Sequence, residues 1–171
     1  MRISARADYA VRAAVELACA CVPGDGVTGW TKAERVAAAQ AIPLPFLVNI
    51  FKSLRDAGLV EAKRGTDGGY RLALAPGEIS VAAIVRAVDG PLASVAGALV
   101  EDLAYTGNAV ALRDTWVALR CSIRSVLEGV TLADLASQRL PGPVVDLLCG
   151  ADAFTTRPQA REHFRRRVDP V

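Results

Sequence analysis

Apolar and polar positions first recur with a helical period. From Ala5 to Val22, residues Ala10, Ala14, Leu17 and Cys21 fall on one side and Asp8, Arg12, Glu16 and Cys19 on another. The spacing predicts an amphipathic helix that "PGDG" stops. "TKAE" then reads as a capping box, with the Thr31 hydroxyl accepting from the Glu34 amide and the Glu34 carboxylate reaching back, so that a short helix runs to about Gln40. The turn "AIPLP" follows, and Pro45 suits the first turn of the next helix. There Leu47, Ile50, Phe51 and Leu54 trace an apolar stripe that stops at Gly58, while Val48, Asn49, Lys52, Arg55 and Asp56 lie opposite. Two short helices across a tight turn, the second with a polar outer face, make the helix-turn-helix pattern.

After Gly58 the period drops to two. "LVEAK" is followed by "RGTDGG" and by "YRLAL", in which Tyr70, Leu72 and Leu74 alternate with Arg71 and Ala73. Glycines beside basic residues suit either a phosphate cradle or a tight hairpin. Placed directly after the second helix, they predict a β-hairpin wing with a basic tip at Lys63, Arg64 and Gly65. Ser80 caps a further helix, "SVAAIVRAVDG", which closes a compact module near Asp89. Beyond it Leu112, Trp116, Leu119, Ile123 and Val126 mark a long helix with one strong apolar face. Little chain is left to cover that face, which points to a second copy as its partner. "TLADLA" starts a short return helix, and from Ser137 the prolines and the "REHFRRR" run suggest a loosely packed tail. The expected division is a module at 1–90, a loop, dimer helix and return helix at 91–136, and a tail at 137–171.

Composition narrows the class. A net charge of +2 is too small to define a partner. The chain is 52% apolar with only nine aromatics, and much of the apolar content is alanine, which suits close-packed helices. The fold expected is mainly α with a small β-hairpin wing. The longest uncharged run, Val36 to Phe51, is too short and too broken to cross a bilayer, and charges from Arg2 to Glu16 interrupt any signal-peptide core, so the protein is expected in the cytoplasm. Cys19, Cys21, Cys121 and Cys149 lack disulfide or zinc spacing. No nucleophile with a neighbouring base, paired carboxylates or phosphate loop appears, and the lone His163 sits in the tail, so an enzyme is not expected.

Several separated segments, "MRISARADYAVRAAVELA", "IPLPFLVNIFKSLRDAGLVEAKRGTDGGYRLA", "AIVRAVDGPL" and "SVLEGVTLADLA", resemble in order and spacing the Rrf2 family of bacterial winged-helix regulators, the IscR-like and NsrR-like proteins. The resemblance covers Met1 to about Ala136. It implies a homodimeric transcription factor on double-stranded DNA, with one helix of each subunit in a major groove and the wing in the flanking minor groove. By the family's motif the wing arginine falls on Arg64, and the DNA-touching helix positions fall on Pro43, Pro45, Val48 and Asn49. Val48 stands where the best-known cluster regulator has a glutamate that accepts from cytosine, so its base preference does not carry over. Cluster-binding members carry three cysteines after the "AVDG" helix, whereas residues 90–120 hold none here. The resemblance therefore implies a cluster-free member, with neither cofactor nor metal and an unidentified small-molecule or protein effector.

Plainer readings stand beside these. "RGTDGG" alone would be an ordinary surface hairpin, and the outer helix face alone a solvated one; within the motif Asn49 and Lys52 are expected on DNA more than Arg55 is. Arg2 is assigned to the DNA backbone and Tyr9 to core packing. Cys21 and Cys121 read as small hydrophobes, while Cys19, sharing a face with Arg12 and Glu16, is the candidate redox thiol. The alternatives to a DNA-binding repressor are a winged helix that docks proteins and a sensor using a thiol or an atypically ligated cluster.

Overall fold

The computed structural model describes residues 3–20 and 29–155, and Arg2, Cys21, His163 and the "REHFRRR" run lie outside them. Helix α1 (Ala5–Cys19) is the centre of the first module. Ser4 caps it, its Oγ accepting from the Ala7 amide at 2.9 Å. Ala7, Ala10, Ala13, Ala14, Leu17 and Ala18 are all buried. A helix whose buried face is almost wholly alanine lets its neighbours approach closely, and α1 packs against four other helices and one strand. That is where the chain's alanine content is used.

Helix α2 (Ala33–Gln40) does not start as "TKAE" predicts. Lys32 is the N-cap and makes no side-chain cap bond, and Thr31 is buried outside the helix. The Thr31 amide donates to the Tyr70 carbonyl at 2.9 Å and the Tyr70 amide returns to the Thr31 carbonyl at 2.8 Å. The Thr31 N–H that the Glu34 carboxylate would take in a capping box is thus already given to the Tyr70 carbonyl. Helix α3 (Leu44–Asp56) begins after Pro43, with Pro45 in its first turn. Its stripe of Leu47, Ile50, Phe51 and Leu54 is fully buried. The chain turns through 116° between α2 and α3, within the range of a helix-turn-helix.

Strands β1 (Val60–Lys63) and β2 (Gly69–Leu72) pair antiparallel, with Glu61 opposite Arg71 and Lys63 opposite Gly69. Gly69 is required by close approach: a Cβ there would meet the Thr31 carbonyl oxygen at 2.4 Å. The alternation predicted through Leu74 ends at Leu72, because a 3-10 turn at Pro76–Glu78 takes the chain off the sheet and leaves Leu74 exposed. Helix α4 (Val81–Asp89) carries the predicted cap, Ser80 Oγ accepting from the Ala83 amide at 3.2 Å.

The segment after α4 holds more structure than a loop. Strands β3 (Ser94–Val95) and β4 (Ala98–Leu99) form a minimal hairpin, whose turn residues Ala96 and Gly97 both have positive φ. A 3-10 turn at Val100–Asp102 precedes helix α5 (Leu112–Gly129). The expectation that α5 lacks cover from its own chain needs correction: Trp116 and Ile123 are half-buried, and α5 packs on α4 and on Val100–Asp102. Leu112 and Leu119 are exposed. Helix α6 (Leu132–Ala136) opens with a capping box between Thr131 and Asp134. It returns Leu132 to the core of the first module beside α1. The chain divides into two compact units, Met1–Leu140 and Pro141–Val171. Within the second, the prolines read as a tail signal instead start helix α7 (Gly142–Leu148), with Pro143 in its first turn. Among the described residues no single helix is long and apolar enough to cross a membrane.

Candidate nucleic-acid interface

The start of α3 is an open, positively polarised helix end. Pro43 and Pro45 carry no N–H and the Phe46 amide already donates to the Pro43 carbonyl at 2.9 Å, so what this end offers an acceptor is chiefly the partial positive charge of the helix dipole. Pro43, Pro45, Val48, Asn49 and Lys52 are all exposed at this end or along the outer face. Arg55 pairs with Asp56 at 3.0 Å, which leaves it less available. Arg6 of α1 donates to Ser53 Oγ at 2.8 Å and so fixes α3 to the central helix. Tyr9 is half-buried against the core, edge-on to Phe46 with 6.0 Å between ring centroids.

Two apolar side chains at this end, Leu44 and Phe46, were not singled out in the sequence. Phe46 is 47% exposed and Leu44 is also open to solvent, beside the expected Val48 at 43%. Leu44 lies one turn before Val48 on the same face, a signal present in the spacing but overshadowed by the stripe of Leu47, Ile50, Phe51 and Leu54.

Beside α3 stands the wing. Lys63, Arg64 and Gly65 are exposed at its tip, and Arg64 makes no ion pair among the described residues. The hairpin is fastened at several points. Beyond the Thr31–Tyr70 pairing, Lys32 Nζ donates to the Gly65 carbonyl at 3.0 Å. The Tyr70 ring stacks on Phe51 of α3, centroids 4.2 Å apart. Trp30 lies under the Arg71 guanidinium at 4.6 Å and near the Lys63 ammonium at 5.9 Å. Trp30 and Lys32 escaped the sequence reading because their partners lie more than thirty residues on. Arg71 also pairs with Glu61 at 2.7 Å.

A family model described as an iron-dependent transcriptional regulator, Rrf2, matches residues 3–138. The chain belongs to the Rrf2 family. A helix-turn-helix transcriptional regulator of Mycobacterium tuberculosis is 47% identical over 169 residues, which span 99% of this chain and 100% of that one. The regulator CymR of Bacillus subtilis is 33% identical over 137 residues, 80% of this chain and 91% of its own length. Among solved structures, B. subtilis CymR, described as the global cysteine regulator, matches with a TM-score of 0.66 at 30% identity, covering 81% of this chain and 98% of that one. T. potens IscR matches at 0.61 and 29% identity, covering 85% and 96%. This Rrf2 chain is thus a winged-helix transcriptional regulator and not an enzyme.

The family description names iron, so the donor set has to be tested. An iron–sulfur cluster needs thiolates gathered in one place. Residues 90–120 of this regulator contain no cysteine, and the three described thiols lie on α1, on α5 and just after α7. Among the described residues no three histidine, cysteine or acidic side chains gather into a metal site. These residues do not fit a cluster. Cys19 is exposed, yet burial and then the neighbouring Glu16 carboxylate raise its thiol above the ordinary value. It therefore carries less thiolate at neutral pH than a free cysteine.

Proposed function

We propose that this Rrf2 regulator is a cluster-free homodimeric repressor that binds an inverted-repeat operator, with α3 of each copy in a major groove and the wing in the flanking minor groove. The observation that carries the reading is a basic wing tip fastened to the helix-turn-helix. Lys32 holds Gly65, the Thr31–Tyr70 pairing closes the base, and Arg64 has no carboxylate partner among the described residues. A guanidinium held at the end of a braced hairpin meets a phosphate or a narrow minor groove with little ordering cost. Two arms of this kind on one dimer supply a binding site with two-fold symmetry.

At the base level, Leu44, Phe46 and Val48 offer apolar contacts to the C5 methyl of thymine, and Asn49 offers a bidentate match to adenine. This favours an A·T-rich half-site over the cytosine contact that a glutamate would make. The exposed stripe of Leu112 and Leu119 on α5 supports pairing with a second copy, with Trp116 and Ile123 backing it from the same helix. The raised Cys19 thiol argues against a thiolate switch.

Selection of bound sequences from random duplex DNA, with protein purified without oxygen, tests the reading. The expected outcome is a colourless protein that enriches an inverted repeat with half-sites about 34 Å apart, or a small multiple of that. Failure to enrich any sequence over the input pool would overturn it, and stoichiometric iron with acid-labile sulfide would overturn its cluster-free part.

A further inference from the structure

The strongest unassigned feature lies between α4 and α5. A cavity of about 240 Å³ is lined by Arg86, Leu92, Leu99, Glu101, Arg120 and Arg124, among others. Arg120 pairs with Glu101, while Glu128, beside the cavity, takes Arg86 and, at 3.1 Å, Arg124. Backbone and arginine hydrogen bonds lower Glu101, and the two arginines lower Glu128. Both carboxylates are therefore charged at neutral pH, and three guanidinium groups face two of them. The balance is one positive charge.

Two polar atoms on α5 have no hydrogen-bond partner among the described residues. The Arg120 side chain is only 20% exposed, and its Nε is buried without a hydrogen-bond partner. One turn earlier on α5, the indole Nε1 of Trp116 is buried in the same condition. Buried donors without acceptors are rare in native proteins and costly, so each calls for an explanation. Neither atom is open to the cavity and Trp116 does not line it, so an anionic acceptor is called for by the uncompensated guanidinium charge on the cavity wall. A guanidinium fork matches a carboxylate or a phosphate equally well, and Leu92 and Leu99 add apolar wall.

We propose that this cavity binds a small organic anion, its carboxylate or phosphate head held by Arg120 and Arg124 and its short apolar body lying against Leu92 and Leu99. The head competes with Glu101 for Arg120 and with Glu128 for Arg124. Glu128 also holds Arg86 of α4, and α4 packs against α1 and α3. Occupancy thus reaches the helix that faces DNA. That consequence rests on the DNA-binding reading, whereas anion binding does not and is measured without DNA.

The probes are sodium succinate and sodium phosphate, each titrated calorimetrically and by thermal melting against sodium chloride at matched ionic strength. At least one anion should raise the melting temperature of the wild type, and the two arms separate a carboxylate head from a phosphate head. Arg120→Met should abolish that rise, and Arg124→Met, at an exposed position that folding tolerates, should weaken it if Arg120→Met fails to fold. Glu101→Gln removes the competitor and should tighten binding by about ten-fold. A merely structural Glu101–Arg120 pair would give no such gain. No rise with either anion, a rise that survives the arginine changes, or weaker binding by Glu101→Gln would each overturn the proposal. With operator duplex added, an unchanged DNA affinity at saturating anion would reject the coupling while leaving the site in place.

Discussion

Single side chains at the proposed DNA-facing end divide into those suited to attract the backbone and those suited to choose a base. Arg64 suits the first role: exposed, without an ion pair among the described residues, and held on a braced tip. Arg64→Ala should weaken operator binding by about 1 to 3 kcal/mol, almost equally across sequences, with little change in folding. Unchanged affinity in a gel shift at fixed salt would remove it from the interface. Val48 and Phe46 suit the second role, and here the DNA provides the cleaner variant. Replacing thymine by uracil in the half-site deletes only the C5 methyl, and the apolar contact should be lost with about 1 kcal/mol of affinity at the contacted position. If every uracil-substituted duplex binds as tightly as the parent, α3 does not read methyl groups. The exposed positions of Asn49, Lys52 and Arg64 were legible in the sequence because a motif assigns them places, whereas the bracing by Trp30 and Lys32 was not, because their contacts join segments far apart in the chain.

At the scale of elements, the turn between α2 and α3 sets how α3 leaves the core. Ala41 closes α2 in the left-handed region, φ 51° and ψ 43°, while the Ile42 amide reaches back to the Ala37 carbonyl at 3.0 Å. That position usually belongs to glycine, since a Cβ there is sterically disfavoured. Ala41→Gly should therefore stabilise the protein by roughly 0.5 to 1 kcal/mol, net of glycine's greater freedom in the unfolded chain. Urea unfolding measures it, and a lower midpoint with the same slope would show that the strain is absent. The failure of the "TKAE" cap belongs to this scale as well. Thr31 satisfied a local rule perfectly well, but the hairpin forty residues on offered its backbone a better partner.

For the whole molecule, the long helix carries the proposed pairing surface. Part of α5 is used within its own chain, against α4 and Val100–Asp102, and the remainder presents Leu112 and Leu119 to solvent. Trp116→Glu would disturb that internal packing, so it is a poor probe of association. Leu119 is 41% exposed in the single chain. Leu119→Glu should leave the monomer folded, yet place a charge in the proposed pairing face and yield monomers by light scattering. Wild type that is already monomeric at micromolar concentration would sink the homodimer, and with it the inverted-repeat operator.

The sequence by itself determined whatever depends on near neighbours in the chain. The period of α3, the Ser80 and Thr131 caps, the two-residue alternation of the wing and the lack of cysteine in 90–120 are all local facts, and spacing and residue type report them directly. Tertiary structure alone decided what depends on meetings between distant segments. Thr31 joined Tyr70 rather than Glu34, α6 carried Leu132 back to the α1 core, and Trp116 turned inward. Arg86, Glu101, Arg120 and Arg124 came to line one cavity although no motif links them. The physical reason is the same in each case. Short-range patterns fix dihedral preferences and which face is apolar, but which of several available partners a group takes is settled by burial and hydrogen bonding once the whole chain has packed.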